Sequence, residues 1–419
     1  MAKIKLIFII LMMSFLFFLN GCGNHNDSEY GSEQPVGKTK NLLMWLVGSE
    51  SQAKVIQKIG NEFFENKGVN FKCEAISWSD AHTKYLTSIA GGVTPDIGTV
   101  GLTWGTEFGS LGAMVDLASE FGLDTQEIFK KIVPGFQEAI RYKERIYGVP
   151  FDLSLQLMFY RNDIIPKAPS TWQELEDLLL SLKTKGKGMI FEWGSMSWIG
   201  YAPFLWQAGG DFYNAQHSAS ILDSPSAASA LKFFGRLYTE LGVPKAKIPL
   251  EQGLRTGDFP LAVSGNWKID SLRLTAPEIK GKWSVALLPA GPTGKRTAFL
   301  GGRLIGIFSK SNNKRLAWEF IKHLFEPQAQ LRIYAAAQAA QDSYLPSNML
   351  SWDAPAFEPE FKKVLKLQSI DAKGPPPVLG WDESTRFIEV AIQRVILQDR
   401  NIKEELVKAA KEMNKLLRD

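Results

Sequence analysis

The chain has 419 residues, 45% of them hydrophobic and 22% charged, enough apolar material for about two packed domains. Lysine and arginine number 48 against 44 acids, and setting aside Lys3 and Lys5 leaves 46 against 44, a balance that offers nucleic acid no electrostatic footing. Twelve tryptophans and 26 phenylalanines are a rich supply, and since tryptophan is rarely fully buried, part of it is expected to line a surface that takes something flat and partly apolar.

The opening MAKIKLIFIILMMSFLFFLNGC places Lys3 and Lys5 ahead of an apolar run from Leu6 to Leu19, broken only by Ser14. That is a charged n-region and an h-region too short for a spanning helix, so 1–21 reads as a signal peptide and the chain as exported. Leu19-Asn20-Gly21-Cys22 resembles the bacterial lipobox, with Asn20 in place of the more usual small residue. The resemblance implies that Cys22 becomes the lipid-modified N-terminus, holding the protein at a membrane surface that faces the periplasm or the outside. Residues 22–40 have almost no aliphatic content and read as a flexible tether. With Cys22 modified, Cys73 is the one thiol left, which excludes an internal disulfide and a cysteine-based metal cage.

LLMWLV at Leu42–Val47 is a continuous apolar strand, followed by Ser49, Glu50 and a helix carrying Val55, Ile56, Ile59 and Phe63. Val69 to Ala75 alternates like a strand, a helix around Tyr85 to Ile89 stops at Gly91-Gly92, and Pro95-Asp96-Ile97 opens a third strand. This β-α-β-α-β order predicts a mostly parallel sheet with helices on its faces, and ligands of such sheets sit beyond the carboxyl ends of the strands. Ser49, Glu50, Thr103 and Trp104 emerge there. Residues 148–163, GVPFDLSLQLMFYRND, then read as a crossing between two lobes.

The second half repeats the pattern. Thr171 and Glu174 stand at capping-box spacing before an apolar helix, with Trp172 as a packing residue at its start; Met189-Ile190-Phe191 is a strand leading into Glu192, Trp193 and an aromatic helix. A helix at Leu231–Leu241 and a short strand Leu261-Ala262-Val263 follow, the latter ending at Ser264-Gly265-Asn266-Trp267. From Phe299 the chain reads as strand, turn and helix, and Trp381 to Leu417 is largely helical.

Catalytic signatures fail. None of His25, His82, His217 or His323 lies in H-E-x-x-H, there is no G-x-S-x-G elbow, and Gly294-Lys295 lacks the upstream glycine of a phosphate loop. A glycosidase needs only two acids brought together by folding, so Glu50, Glu107, Asp152 and Glu192 keep an exported glycoside hydrolase open.

In order along the chain, LLMWLVGSESQ, TPDIGTVGLTWGTEFGSLGAMVDL, YGVPFDLSLQLMFYRNDII, APSTWQELEDLL, LAVSGNW, FLGGRLIGIFSKSNNKRLAWEFIKHL and YLPS resemble the bacterial extracellular solute-binding proteins of the sugar type, the maltose-binding-like receptors of ABC importers. The resemblance runs from about Asn41 to the C-terminus. It implies a two-lobed periplasmic-binding-protein-like α/β fold (type II), each lobe a mixed sheet flanked by helices and joined by hinge strands. The first lobe takes 41–150 and a return segment 298–342; the second takes 151–297 and C-terminal helices 343–419. It further implies a monomer, without cofactor or metal, that captures a carbohydrate between the lobes and passes it to permease subunits. Ligand contacts are expected from Ser49, Glu50, Thr103, Trp104, Asp152 at the hinge, Trp193, Trp267 as the G-x-W stacking aromatic, Arg303 after Gly301-Gly302, and Trp381 as a second stacking aromatic. Aromatic faces suit the C–H side of a pyranose, and carboxylates and arginine suit its hydroxyls. A non-transport glycan-binding surface lipoprotein is the remaining alternative.

Overall fold

The structure, a computed structural model, describes residues 39–417 apart from Glu192, Ser195, Gln341 and Ser343. The expected signal peptide, Cys22 and nearly all of the tether therefore lie outside the described residues. Thr39–Asp419 form one compact unit.

Three parallel strands, β1 (Lys40–Val47), β2 (Val69–Ile76) and β3 (Ile97–Gly101), lie in the order β2-β1-β3. Helices α1 (Glu50–Phe63) and α2 (Trp78–Gly91) connect them, as alternation and turn residues predict. Ser49 caps α1 by accepting from the Gln52 amide at 3.2 Å, and the buried stripe is Ala53, Ile56 and Ile59. Gly92, at φ 70°, closes α2 with a left-handed C-cap in which the Val93 amide returns to Ser88 O. After β3 comes the short helix α3 (Trp104–Ser110), then a hairpin of β4 (Arg141–Tyr142) and β5 (Arg145–Ile146).

The predicted crossing then takes shape. β6 (Val149–Pro150) still belongs to the first sheet, and four residues later β7 (Ser154–Tyr160) is the centre of the second. That sheet has the order β13-β11-β7-β9-β8, with β10 also paired to β7. Its members are β8 (Met189–Ile190), β9 (Leu261–Gly265), β10 (Ser284–Ala286), β11 (Ala298–Gly301) and β13 (Ala372–Lys373). β12 (Arg303–Ile307) inserts into the first sheet between β3 and β6, antiparallel to both.

The return to the first lobe thus falls at Gly302 and not at 298, because β11 pairs with β7 and β13 in the second sheet. Gly302 takes φ 138°, and a Cβ there would sit 2.3 Å from the Asp152 carbonyl oxygen, so a side chain is barred where the two crossings touch. The two crossings are also hydrogen-bonded, the Phe151 amide donating to Arg303 O at 2.7 Å. A third pass follows. Leu153 N donates to Leu345 O, Asp152 bridges to Pro346 and Ile132 bridges to Asn348, so the residues after 343 begin along the crossing and beside the first lobe. The chain joins the second lobe at the helix Pro359–Ile370, which packs on β7 and β10. The tail forms two helices, Trp381–Gln398 and Ile402–Leu416, broken at Asp399, where φ is 51°.

Each lobe has its own aromatic core. Phe64, Phe71 and Phe320 meet in the first, while Phe191, Phe204 and Phe234 meet in the second. Trp172 packs as expected, stacked on Phe233 at 4.4 Å with its indole N–H donated to Gln207. Burying such a ring contributes roughly 1.5–3 kcal/mol before its ordering entropy is subtracted.

Candidate functional site

The carboxyl ends of β3 and β9 each carry a glycine with a tryptophan ring laid against it. A Cβ on Gly101 would lie 3.0 Å from the Trp104 ring, and one on Gly265 would lie 1.7 Å from the Trp267 ring. Both rings therefore rest on bare backbone at an inner strand end, one in each lobe. Trp267 is 37% exposed and borders a solvent-open groove together with Asp270, Arg273, Tyr334, Tyr344 and Phe357. Here the lobes touch: Gln338 of the helix Pro327–Ala339, which packs on α1, donates to Asp270 at 3.1 Å.

Trp104 heads a second group. Its ring is 5.7 Å from that of Trp78, the exposed first residue of α2, and 5.0 Å from that of His82 one turn on. His82 Nε2 is 2.7 Å from Glu107 on α3, while Thr103 donates at 3.3 Å to Asp382, at the start of the helix Trp381–Gln398. That helix packs against the second lobe's helices, so Thr103 and Asp382 meet across the cleft. The Glu107 hydrogen bond raises the His82 pKa, and loss of solvation with the nearby Glu107 charge raises that of the Asp382 carboxyl, although the residue keeps solvent contact. One donor atom each from His82, Glu107 and Asp382 lies within 4.8 Å of the others. A tetrahedral metal shell with bonds of about 2.0–2.1 Å would draw its donors closer, and the 2.7 Å His82–Glu107 spacing is that of a hydrogen bond.

Asp152 and Arg303 are placed differently from expectation. Both are buried, 8% and 3% exposed, and each satisfies the other. Arg303 donates from Nε at 2.9 Å and from a terminal nitrogen at 2.5 Å to Asp152 Oδ2, and its own amide donates to Oδ1 at 2.7 Å. The remaining terminal nitrogen reaches Val47 O and, at 2.9 Å, Gln52 Oε1. The pair ties both crossings to the end of β1 and the start of α1. It forms the hinge's interior, where a carboxylate and a guanidinium neutralise each other instead of standing open to a ligand.

Ser49 is the α1 cap and also donates to Asp342; Glu50 is exposed at the first turn of that helix. Trp193 leans on Tyr238 of the second lobe at 4.8 Å between ring centroids. Trp381 is 3% exposed and packs edge-on between Trp198 and Phe212, both at 5.1 Å, so its ring belongs to the second lobe's core. Its indole N–H finds no hydrogen-bond partner among the described residues. At the first position of a helix, a side chain leans back over the preceding turn, which turns Trp381 inward and leaves Asp382 to face the cleft.

Sequence reading passed over Trp78, His82 and Asp382, and weighed Glu107 only as a hydrolase acid. Trp78 follows β2 as Ser49 follows β1, and Glu107 stands three residues after Trp104 on the same helix face. Those were readable signals. Asp382 had none, since only folding brings residue 382 against Thr103.

Two α/β lobes joined by three hydrogen-bonded crossings, with a tryptophan at a strand end in each lobe, define a two-lobed cleft protein. The model of the bacterial extracellular solute-binding proteins matches residues 58–362, and the chain belongs to that family. A Brucella abortus binding protein is 24% identical over 350 residues, covering 80% of this chain and 82% of the relative. The maltotriose-binding protein of Pyrococcus abyssi is 25% identical over 300 residues, covering 67% of this chain and 61% of the relative. Among solved structures, the sugar-binding protein MalE from Xanthomonas citri matches the fold with a TM-score of 0.80 at 22% identity, over 90% of this chain and 98% of that one.

Proposed function

We propose that this protein is a receptor that captures a carbohydrate between its lobes and delivers it to the permease of an ABC importer. The observation that carries this reading is the pair of tryptophans, Trp104 and Trp267, each laid on a strand-end glycine in a different lobe. A ring held flat by bare backbone presents its outer face to the C–H side of a pyranose, and the flanking Glu107, Asp382 and Asp270 offer acceptors for hydroxyls. A ligand closes two lobes only if it binds the closed arrangement better, so contacts must come from both. Ser49, Glu50 and Thr103 complete the proposed contact set at the first-lobe rim. Asp152 and Arg303 act through the hinge, and Trp193 and Trp381 shape the second lobe behind the site.

The chain is a binding protein that releases its sugar unchanged, exported and held at the membrane through lipid on Cys22, and it works as a monomer without cofactor or metal. The relatives named for maltotriose and sugar binding support the ligand class. The test is a melting-temperature screen with maltose, maltotriose, lactose and cellobiose, because a ligand selective for the native state must raise Tm. A rise with at least one sugar, and chromatographic recovery of that sugar intact after incubation, is the expected result. No rise with any sugar alongside a rise with a peptide or polyamine refutes the carbohydrate class, and consumption of the sugar refutes the non-enzymatic reading.

A further inference from the structure

His82 and Glu107 stand on the first lobe, 2.7 Å apart, and Asp382 reaches them from the second, steadied by Thr103 at 3.3 Å. The His82 ring is held beside Trp104 at 5.0 Å and stacked on Phe108 at 5.7 Å, so it cannot swing away from the two acids without breaking aromatic packing. The charged groups acting on His82 are Glu107 of α3 and Asp382 of the C-terminal helix. Arg386, one turn beyond Asp382, acts on that carboxylate and is itself paired with Glu383 at 2.9 Å. Closing the cleft therefore brings one more negative charge against a His–Glu pair.

We propose that His82, Glu107 and Asp382 form a proton-operated latch across the cleft, fastened when His82 carries a proton and loosened when it does not. The latch rests on the receptor reading above and adds regulation to it. With His82 protonated, the imidazolium lies between two carboxylates and offsets their repulsion. With His82 neutral, two unscreened acids face each other across the lobes and push the closed state open.

The sign follows from the two titrations. Contact with Glu107 and Asp382 raises the His82 pKa, and burial with the Glu107 charge raises that of Asp382. Glu107 shares His82's lobe and acts in either state, so the part of the His82 shift that depends on closure is the Asp382 charge; that part, with the desolvation of Asp382 itself, means that closure takes up a proton. The closed state gains its full advantage below the open-state value of His82 and loses it as pH rises through the closed-state value.

The experiment is small-angle X-ray scattering on the sugar-free protein between about pH 8.5 and about pH 5.5 at constant salt, the range in which imidazole titrates. The expected result is a radius of gyration that shrinks as the pH falls in the wild type. His82→Gln should keep the larger, alkaline radius throughout, and Asp382→Asn the smaller, acid radius throughout. His217→Gln should titrate like the wild type. A wild-type radius indifferent to pH overturns the latch, as does an equal response in His82→Gln or loss of the response in His217→Gln. No sugar enters this measurement, so its failure leaves the melting screen to decide the receptor reading by itself.

Discussion

Replacing Asp152 with alanine isolates the hinge. The substitution strips Arg303 of three charge-assisted hydrogen bonds and leaves its guanidinium, 4% exposed, with only Val47 O and Gln52 as acceptors. Removing one partner of a buried pair costs about 3–5 kcal/mol, because the other charge stays desolvated. For a unit of ~380 residues with an unfolding entropy near 0.8 kcal/mol per kelvin, that corresponds to a fall in Tm of roughly 4–6 °C. Asp152→Ala combined with Arg303→Met should recover most of the loss, since no lone charge is then buried and an apolar stem fills the volume. Scanning calorimetry of wild type, both single variants and the double variant checks this. A single Asp152→Ala variant within about 0.5 kcal/mol of wild type, or a double variant no better than the single, would refute the reasoning and return Asp152 to the ligand.

Gly265→Ala should act as a tryptophan mutation without touching the tryptophan: its Cβ displaces the Trp267 ring, so sugar affinity by titration calorimetry falls with Trp267→Ala, each by about tenfold, the worth of one aromatic contact. Trp381→Ala should instead lower stability by about 3–5 kcal/mol in denaturant titration, as removal of a buried indole does. Burial pushes the Cys73 thiol up to about 12. Mass spectrometry of its peptide after iodoacetamide at pH ~8 should show labelling roughly 10³-fold slower in the folded protein than in denaturant, following the thiolate fraction.

The first lobe was legible because its β-α-β-α-β order alternates short apolar strands with amphipathic helices, and β1, α1, β2 and α2 form where periodicity and glycines place them. The crossing at 148–163 was legible from its strand-favouring apolar and aromatic residues between the two halves of the chain, and it divides into β6 and β7. What stayed hidden was pairing at long range. Gly301 and Gly302 are adjacent in sequence, yet one ends a strand of the second sheet and the other is the turn into the first. Asp152 and Arg303, 151 residues apart, were read as open polar groups because no local pattern announces that each is the other's partner. Trp104 and Trp267 were readable from their positions just after apolar strands, while the inward turn of Trp381 depends on helix geometry that its residue type does not encode.

The placement of β12 sets an order of assembly. β3 has one edge covered by β1 and the other by β12, which is synthesised some two hundred residues later, after nearly all of the second sheet. Until Arg303–Ile307 leave the ribosome, the first lobe has an unpaired parallel-strand edge and no partner for the buried carboxylate of Asp152. Neither lobe is a separable unit, and a truncation anywhere before residue 307 leaves two incomplete sheets. Such dependence on distant contacts makes folding slow. For a member of an extracellular family, which has to be exported, slowness has a use: the polypeptide stays threadable while it is being moved, and locks into shape once its middle has arrived.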